Sequence, residues 1–386
     1  MGPLKGYKVV EFAGIGPGPM CATMLADMGA TVIKLDRMVP SDLGIPRPSR
    51  YDLLNRNRHS VAVDLKRPEG VEIALRLIEQ ADALIEGFRP GTMERLGLGP
   101  DICLGRNPRL AYGRMTGWGQ DGPLAMSAGH DINYISLTGV LHAIGRKGDK
   151  PVPPLNLIGD FGGGATFLAF GLVCAMLEAK TSGTGQVVDA AMVDGAAFLM
   201  TSFFGMHAYG GFKVDRGANI TDTGVYYWEV YECADGNFVS VGPIEKKFRD
   251  EFLKKMDLDA ISPSLDELTS EEAKRILTQV FLTKTRAEWC EVFETSDACV
   301  SPVLSVAEAP HHPHNRARET FIEVDGVVQP APTPRFSRTK PALPTAPQHQ
   351  GQSSRRALLD WGLSAEEVTA LESLGIVKRQ VSKPSA

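Results

Sequence analysis

The chain has 386 residues, 43% of them hydrophobic and 23% charged, with a formal net charge of −5 at pH 7. That length exceeds one small domain, and that composition supplies a sizeable core. The acidic balance excludes a global attraction to nucleic acid or to an anionic membrane, so an anionic ligand must be held by local basic residues.

The first residues, MGPLKGYKVVEF, enter a strand pattern at once and carry no secretory signal. Pro3 and Gly6 do not fit a myristoylation signal at Gly2. A strand over 8–14, a helix over 19–30 and a strand over 31–36 make a βαβ unit with a parallel pair. The pattern repeats as a strand over 59–65, a helix over 68–81 and a strand over 82–88. A further strand covers 109–119. The opening ~150 residues are therefore α/β and doubly wound. From 162 to 206 the Gly, Ala, Met and Phe content predicts long, mostly buried helices. Within it, ATFLAFGLVCAMLEA is predicted to be too short to span a bilayer.

A hairpin is predicted over 226–242 around Asp235-Gly236. Two helices follow, each opened by a capping box, Thr269 with Glu272 and Thr285 with Glu288. This middle portion reads as a smaller α+β domain. The Pro-rich stretch 327–350 is predicted to run extended over the surface. Ser364 and Glu367 cap a last helix with Val368, Leu371 and Leu374 on one face. The closing KPSA is not a peroxisomal S-K-L tail. Six cysteines at 21, 103, 174, 233, 290 and 299 form no C-x-x-C pair and no zinc spacing. They are expected to be free thiols, and the protein to be intracellular and soluble.

Four constellations could carry chemistry. The loop GIGPGPM (14–20), with Asp36 ending the second strand, imitates a dinucleotide fingerprint. It fails at the third glycine, where Pro19 stands, so it reads as a tight turn or a loop approaching another ligand. Arg37 and Arg89 follow predicted strands, and Arg56, Arg58, Lys66 and Arg67 cluster around a third. Arginine forks at strand ends suit phosphate; single surface arginines are more often solvated. His130 and Asp131 stand in AGHDINY, Asp160 in LIGDFGGG, and Glu245 just past a strand end. A histidine and acids at loop edges can form a proton-transfer pair with an orienting partner; an isolated histidine is more often a core residue. HHPHN (311–315) lacks metal-ligand spacing and reads as an exposed loop. No G-x-S-x-G elbow and no P-loop is present.

The segments VVEFAGIGPGP…LADMGATVIKLDR, AGHDINYISLTGVLHAIGR, PPLNLIGDFGGG, GQVVDAAMVDG, YECADGNFVSVGPIE, SDACVSPVL and TPRFSRT resemble the racemase branch of the family III CoA-transferase superfamily, from about residue 4 to 339. The resemblance implies a large doubly wound parallel-sheet domain plus a smaller α+β domain, in an interlocked homodimer. It places the large CoA-binding domain in 1–200, a linker in 201–225, the small domain in 226–325, and a return segment with the C-terminal helix in 326–386. It implies catalytic His130 and Asp160, with Glu245 hydrogen-bonding the histidine. It maps CoA contacts to Arg37, to Val63, Asp64, Leu65 and Lys66, to Arg89, and to Gly129, His130, Asp131, Ile132, Asn133 and Tyr134. The implied substrate is a 2-methyl-branched acyl-CoA, CoA being part of the substrate and no cofactor or metal being needed. Backbone N–H groups around Asp160, Phe161 and Gly162 are the expected oxyanion donors. Within the family pattern, Thr223 stands in place of a glycine and Tyr226 where a proline is common, in a loop that the resemblance puts beside the acyl site.

Overall fold

The computed structural model describes residues 2–39 and 44–379. The KPSA tail lies outside the described residues. The chain divides into two units: residues 1–138, 154–200 and 318–386 form one, and residues 139–153 and 201–317 form the other.

The first unit is built on six parallel strands: β1 (Lys8–Phe12), β2 (Thr31–Asp36), β3 (Arg58–Ala62), β4 (Ala83–Glu86), β5 (Ala111–Thr116) and β6 (Gln186–Ala191). Their order across the sheet is β3-β2-β1-β4-β5-β6. The chain reverses direction across the sheet between β1 and β4, the crevice where open α/β sheets receive ligands. Strand side chains alternate between faces. Val10, Ile33 and Leu84 enter one core with the helix Pro68–Ile78 and the C-terminal Leu358 and Ile376. Val9, Val32 and Ile85 enter the other, with the helices Pro17–Asp27 and Thr166–Ser182. Both early helices start on a proline, whose missing N–H costs nothing there.

Strands β1 to β5 fall where the pattern predicts, with shorter ends. The all-helical reading of 162–206 is corrected: Gln186–Ala191 is strand β6, paired with β5. It is an edge strand with half its residues exposed, so it carries no buried-strand signature. The apolar stretch is also longer in structure than in sequence. Residues Leu157–Ser182 form one continuous helical segment of 26 residues, long and apolar enough to cross a bilayer by length and composition. Leu168, Leu172, Ala175 and Met176 on it pack into the second core. The Pro-rich stretch opens in a hairpin of Phe321–Val324 with Val327–Pro330, turning at Asp325-Gly326 with φ of 51° and 71°. Beyond it, residues 331–349 are irregular. The last helix, Ala365–Ser373, buries Val368, but Leu374 is exposed and Ile376 takes its place in the core.

The second unit carries an antiparallel sheet of β7 (Glu229–Glu232), β8 (Phe238–Val241) and β9 (Val300–Pro302). Tyr231, Phe252, Phe281, Trp289 and Phe293 stack in its core. Both capping boxes form: the Thr269 and Thr285 hydroxyls accept from the N–H of Glu272 and Glu288 at 3.3 Å each. Residues 201–225, expected as a linker, fall inside this unit and open with the helix Thr201–Ala208. Residues 139–153 are fastened to it by Arg216, which donates to the carbonyls of His142 (2.8 Å) and Asp149 (2.7 Å), and by an Arg146–Glu229 ion pair. Tyr226 is buried here, its hydroxyl donating to Asp266 at 2.6 Å. It is a core residue of this unit. Thr223 sits at φ 73°, a conformation that favours glycine.

Candidate active site

The carboxyl ends of β1 to β4 gather one edge of the first unit. Arg37 follows β2, residues 63–66 follow β3, the glycine-rich turn follows β1, and Arg89 follows β4. Arg37, Lys66 and Arg89 are exposed there. Val63 is buried and forms an antiparallel bridge with Val377, and the Asp64 N–H donates to the Ile376 carbonyl at 2.9 Å. The C-terminal segment therefore sets the 63–66 turn, and the Asp64 carboxylate accepts the Lys66 N–H at 3.1 Å.

Arg56 and Arg58 do not join this edge. Both are buried. Arg56 pairs with Asp27 at 2.5 Å and donates to Gln329 and the Pro330 carbonyl, both at 2.8 Å. Arg58 pairs with Glu11 at 3.0 Å and also donates to Thr23, to the carbonyls of Arg56 and Leu54, and to that of Pro19. Every guanidinium nitrogen of Arg58 is occupied. These two arginines hold the scaffold and are removed from the phosphate-binding set.

His130 is the residue before the helix Asp131–Ser136. Its N–H donates to Asn133 Oδ1 at 3.1 Å, while its carbonyl accepts the N–H of Asn133 (2.8 Å) and of Tyr134 (3.2 Å). The imidazole is left exposed. Tyr134 turns inward, donates to the Gly129 carbonyl and meets Trp118 edge-on at 4.8 Å. A side chain at Gly129 would strike both rings, so the G-H-D order is a packing requirement.

Asp160 stands in a π-helical turn, Leu157–Ala165, a wider coil that recurs at functional sites. Close approach to the helix Met192–Leu199 supports it: a Cβ on Gly195 would lie 1.9 Å from the Gly163 carbonyl oxygen. The Asp160 Oδ2 accepts from Asn156 at 2.9 Å and lies 3.0 Å from where a Cβ on Gly16 would be. The glycine-rich turn that fails as a dinucleotide fingerprint thus lies against Asp160.

The residue that sequence reasoning missed in this role is the Asp131 side chain. It is 5% exposed, and its Oδ2 accepts the backbone N–H of Asp160 at 2.7 Å. Its Oδ1 is buried with no hydrogen-bond partner. A Cβ on Gly159 would lie 2.6 Å from Oδ2, so the glycine before Asp160 admits this carboxylate. No spacing rule announces such a grip across 29 positions. Of the expected oxyanion donors, the Asp160 N–H already has an acceptor.

Burial pushes the Asp160 carboxyl above its ordinary value; the Asn156 hydrogen bond opposes this, the Asp131 charge adds to it, and His130 opposes it. The structure thus brings His130, Asp131 and Asp160 into one electrostatic neighbourhood. Burial pushes the Tyr134 phenol up to about 12, with Asp160 adding and Arg89 opposing, so Arg89 acts on the same group. Glu245 lies in the second unit, exposed, where its carbonyl caps the helix Lys246–Lys255. A half-buried acid with a raised carboxyl in the neighbourhood of a histidine is an arrangement that can give a proton to one face of a carbon and take one from the other.

Residues 4–353 match the family described as CoA-transferase family III. The chain is 43% identical over 381 residues to the α-methylacyl-CoA racemase of Mus musculus, covering 97% of each. It is 41% identical to that of Homo sapiens, covering 99% of each. A CAIB/BAIF family protein from Brucella suis shares the fold at a TM-score of 0.79 and 21% identity, covering 93% of this chain and 99% of that one. The switch-point sheet, the AGHDINY helix and the π-turn acid are therefore found in a chain that belongs to CoA-transferase family III.

Proposed function

We propose that this protein inverts the α-carbon of 2-methyl-branched acyl-CoA thioesters by moving a proton through an enolate. The names carried by the mouse and human relatives, matched over nearly their whole length, support this reading. The observation that carries it is Asp160, whose carboxyl is pushed above its ordinary value by burial and by the Asp131 charge, in the neighbourhood of His130.

In one direction neutral His130 removes the α-proton, and the thioester carbonyl takes the electron pair as an enolate. Asp160 then gives its own proton to the opposite face, leaving an imidazolium and a carboxylate. The other enantiomer runs the same steps in reverse. Each acid–base contact is worth roughly 10²–10⁴-fold. The N–H groups of Asp131 and Ile132, in the first helical turn after His130, have no acceptor among the described residues and serve as oxyanion donors. The thioester itself acidifies the α-carbon, so the step calls for no metal or redox group. Arg37, the 63–66 turn, Arg89 and the 129–134 loop hold the CoA portion.

Glu245 orients His130 in an interlocked homodimer. The dimer is supported by the apolar residues that one copy leaves exposed, Phe170 (69%), Leu177 (58%) and Phe198 (65%), which a second copy would cover. On that reading the apolar helix Thr166–Ser182 is a core and interface element rather than a membrane span. Light scattering should give twice the chain mass. Co-expressed His130→Ala and Glu245→Ala chains should regain activity in mixed dimers if the two residues serve one site from different copies.

The test of the chemistry is one enantiomer of 2-methyldecanoyl-CoA in heavy water. Deuterium should enter at the α-carbon with loss of optical purity, and His130→Ala and Asp160→Ala should each abolish racemisation. Full exchange in both directions by Asp160→Ala would end the two-base assignment. The family match favours one rival, a CoA transferase with Asp160 as nucleophile. CoA exchange into a second free acid, independent of His130, would support it instead.

A further inference from the structure

Strand β4 ends in Glu86, whose side chain is 1% exposed at the ligand edge of the sheet. A carboxylate buried there is costly unless it is paired and hydrogen-bonded. Its Oε1 accepts from Arg114 Nε at 3.0 Å, across the β4–β5 register, and its Oε2 accepts the Phe88 N–H at 2.7 Å. The same guanidinium reaches outward with both terminal nitrogens to the Glu94 carboxylate, at 2.9 and 3.3 Å. Glu94 belongs to the short helix Thr92–Arg95, which starts after Gly91 at φ 78°.

Glu86 and Glu94 bracket the seven residues Gly87-Phe88-Arg89-Pro90-Gly91-Thr92-Met93. One arginine therefore ties both ends of that segment. A further bond, Thr92 N–H to the Arg89 carbonyl at 3.1 Å, closes the turn. The Arg89 side chain itself has no hydrogen-bond or ion-pair partner among the described residues, so its aim is set by the backbone beneath it. We propose that the Glu86–Arg114–Glu94 clasp positions Arg89, so that Glu86 is a positioning residue for the anionic portion of the CoA thioester. The inference rests on the acyl-CoA reading above.

A glutamine at 86 still accepts from Phe88 but turns its amide N–H₂ toward Arg114, a donor facing a donor, so the clasp opens while the volume is kept. The experiment is a double-mutant cycle on the full chain, read as the calorimetric Kd for free CoA. Glu86→Gln should weaken CoA about tenfold, the effect of one misaligned charged hydrogen bond. In an Arg89→Ala background the same change should cost less than about twofold. At saturating thioester, α-proton exchange should stay within about twofold, since the clasp acts on binding and not on the proton steps. An equal loss with and without Arg89 would show a merely structural role and overturn the proposal, as would no loss at all. Glu94→Ala supplies a second cycle that leaves the buried Glu86–Arg114 pair intact. About threefold weaker binding is expected with Arg89 present and no change without it. If Glu86→Gln does not fold, this cycle decides. If the unsubstituted protein binds no CoA, the acyl-CoA reading itself fails, a result distinct from an additive cycle in a chain that binds CoA.

Discussion

Two buried carboxylates in the first unit make an instructive pair. Glu11 and Asp131 each have one oxygen engaged and one with no partner. Glu11 is answered by a guanidinium, Arg58, which also gathers the carbonyls of Pro19 and Leu54. Asp131 is answered by a backbone N–H, that of Asp160, and with His130 it acts on the Asp160 carboxyl. Burial raises the Glu11 carboxyl, and Arg58 and Lys34 pull it back. At Asp160, Asp131 adds to what burial does. An acid beside a cation is scaffold. An acid beside an acid pushes a proton onto one of them, which is how a carboxyl is kept ready as a proton donor.

Breaking the first region should have the largest effect. Arg58→Met leaves Glu11 buried without its cation and should destabilise the fold by about 3–5 kcal/mol; urea unfolding followed by circular dichroism measures it. A loss below ~1 kcal/mol would erase the contrast between the two regions.

Breaking the second should cost activity rather than stability. Asp131→Ala releases the Asp160 backbone and should lower α-proton exchange by about 10²-fold, the scale of a small misplacement at the reacting carbon. Asp131→Asn sharpens the comparison, because the amide oxygen still accepts the Asp160 N–H while the charge is gone. The sign follows from the raised Asp160 carboxyl. Its protonated form donates at low pH and is lost as pH rises through its value, so removing the Asp131 charge should move the basic limb of racemisation to lower pH. Initial rates from the enantiomer deprotonated by His130, taken across pH, test this; an unmoved limb would refute it.

Glu86 resembles Glu11, since it has a cation yet burial still lifts it, to about 7 from 4.5. A raised carboxyl favours the folded state below the unfolded value, and that benefit is lost as pH rises through the folded one. The melting temperature should therefore fall between about pH 5 and pH 8, and Glu86→Gln should flatten that fall. Equal slopes in the two proteins would count against it. The smallest effect is expected outside both regions: Thr223→Gly relieves a left-handed threonine and should raise stability by about 1 kcal/mol or less.

Strands β1 to β5 were legible because apolar runs, proline-led helices and short connections mark them. Strand β6 was not legible. At the sheet edge it keeps few buried positions, and its flanks, rich in small residues, read as helix. The π-turn was hidden too, since its glycines are explained by distant partners: Asp131 against Gly159, and the helix Met192–Leu199 against Gly163 and Gly164. His130 and Asp160 could be singled out by their company, whereas the arginines at 37, 56, 58 and 89 look alike in sequence and have opposite fates. Arg56 and Arg58 turn inward because Asp27 and Glu11 wait there on neighbouring elements.

By itself the sequence determined the doubly wound sheet and the capped helices of the second unit, because these depend on periodicity and local chemistry, and its motifs carried the family resemblance. Tertiary structure alone decided which arginines face the ligand edge, that Asp131 grips Asp160, and that Arg114 joins Glu86 to Glu94. Charges acquire their roles from neighbours brought in by other elements, and a one-dimensional pattern carries no distance between them.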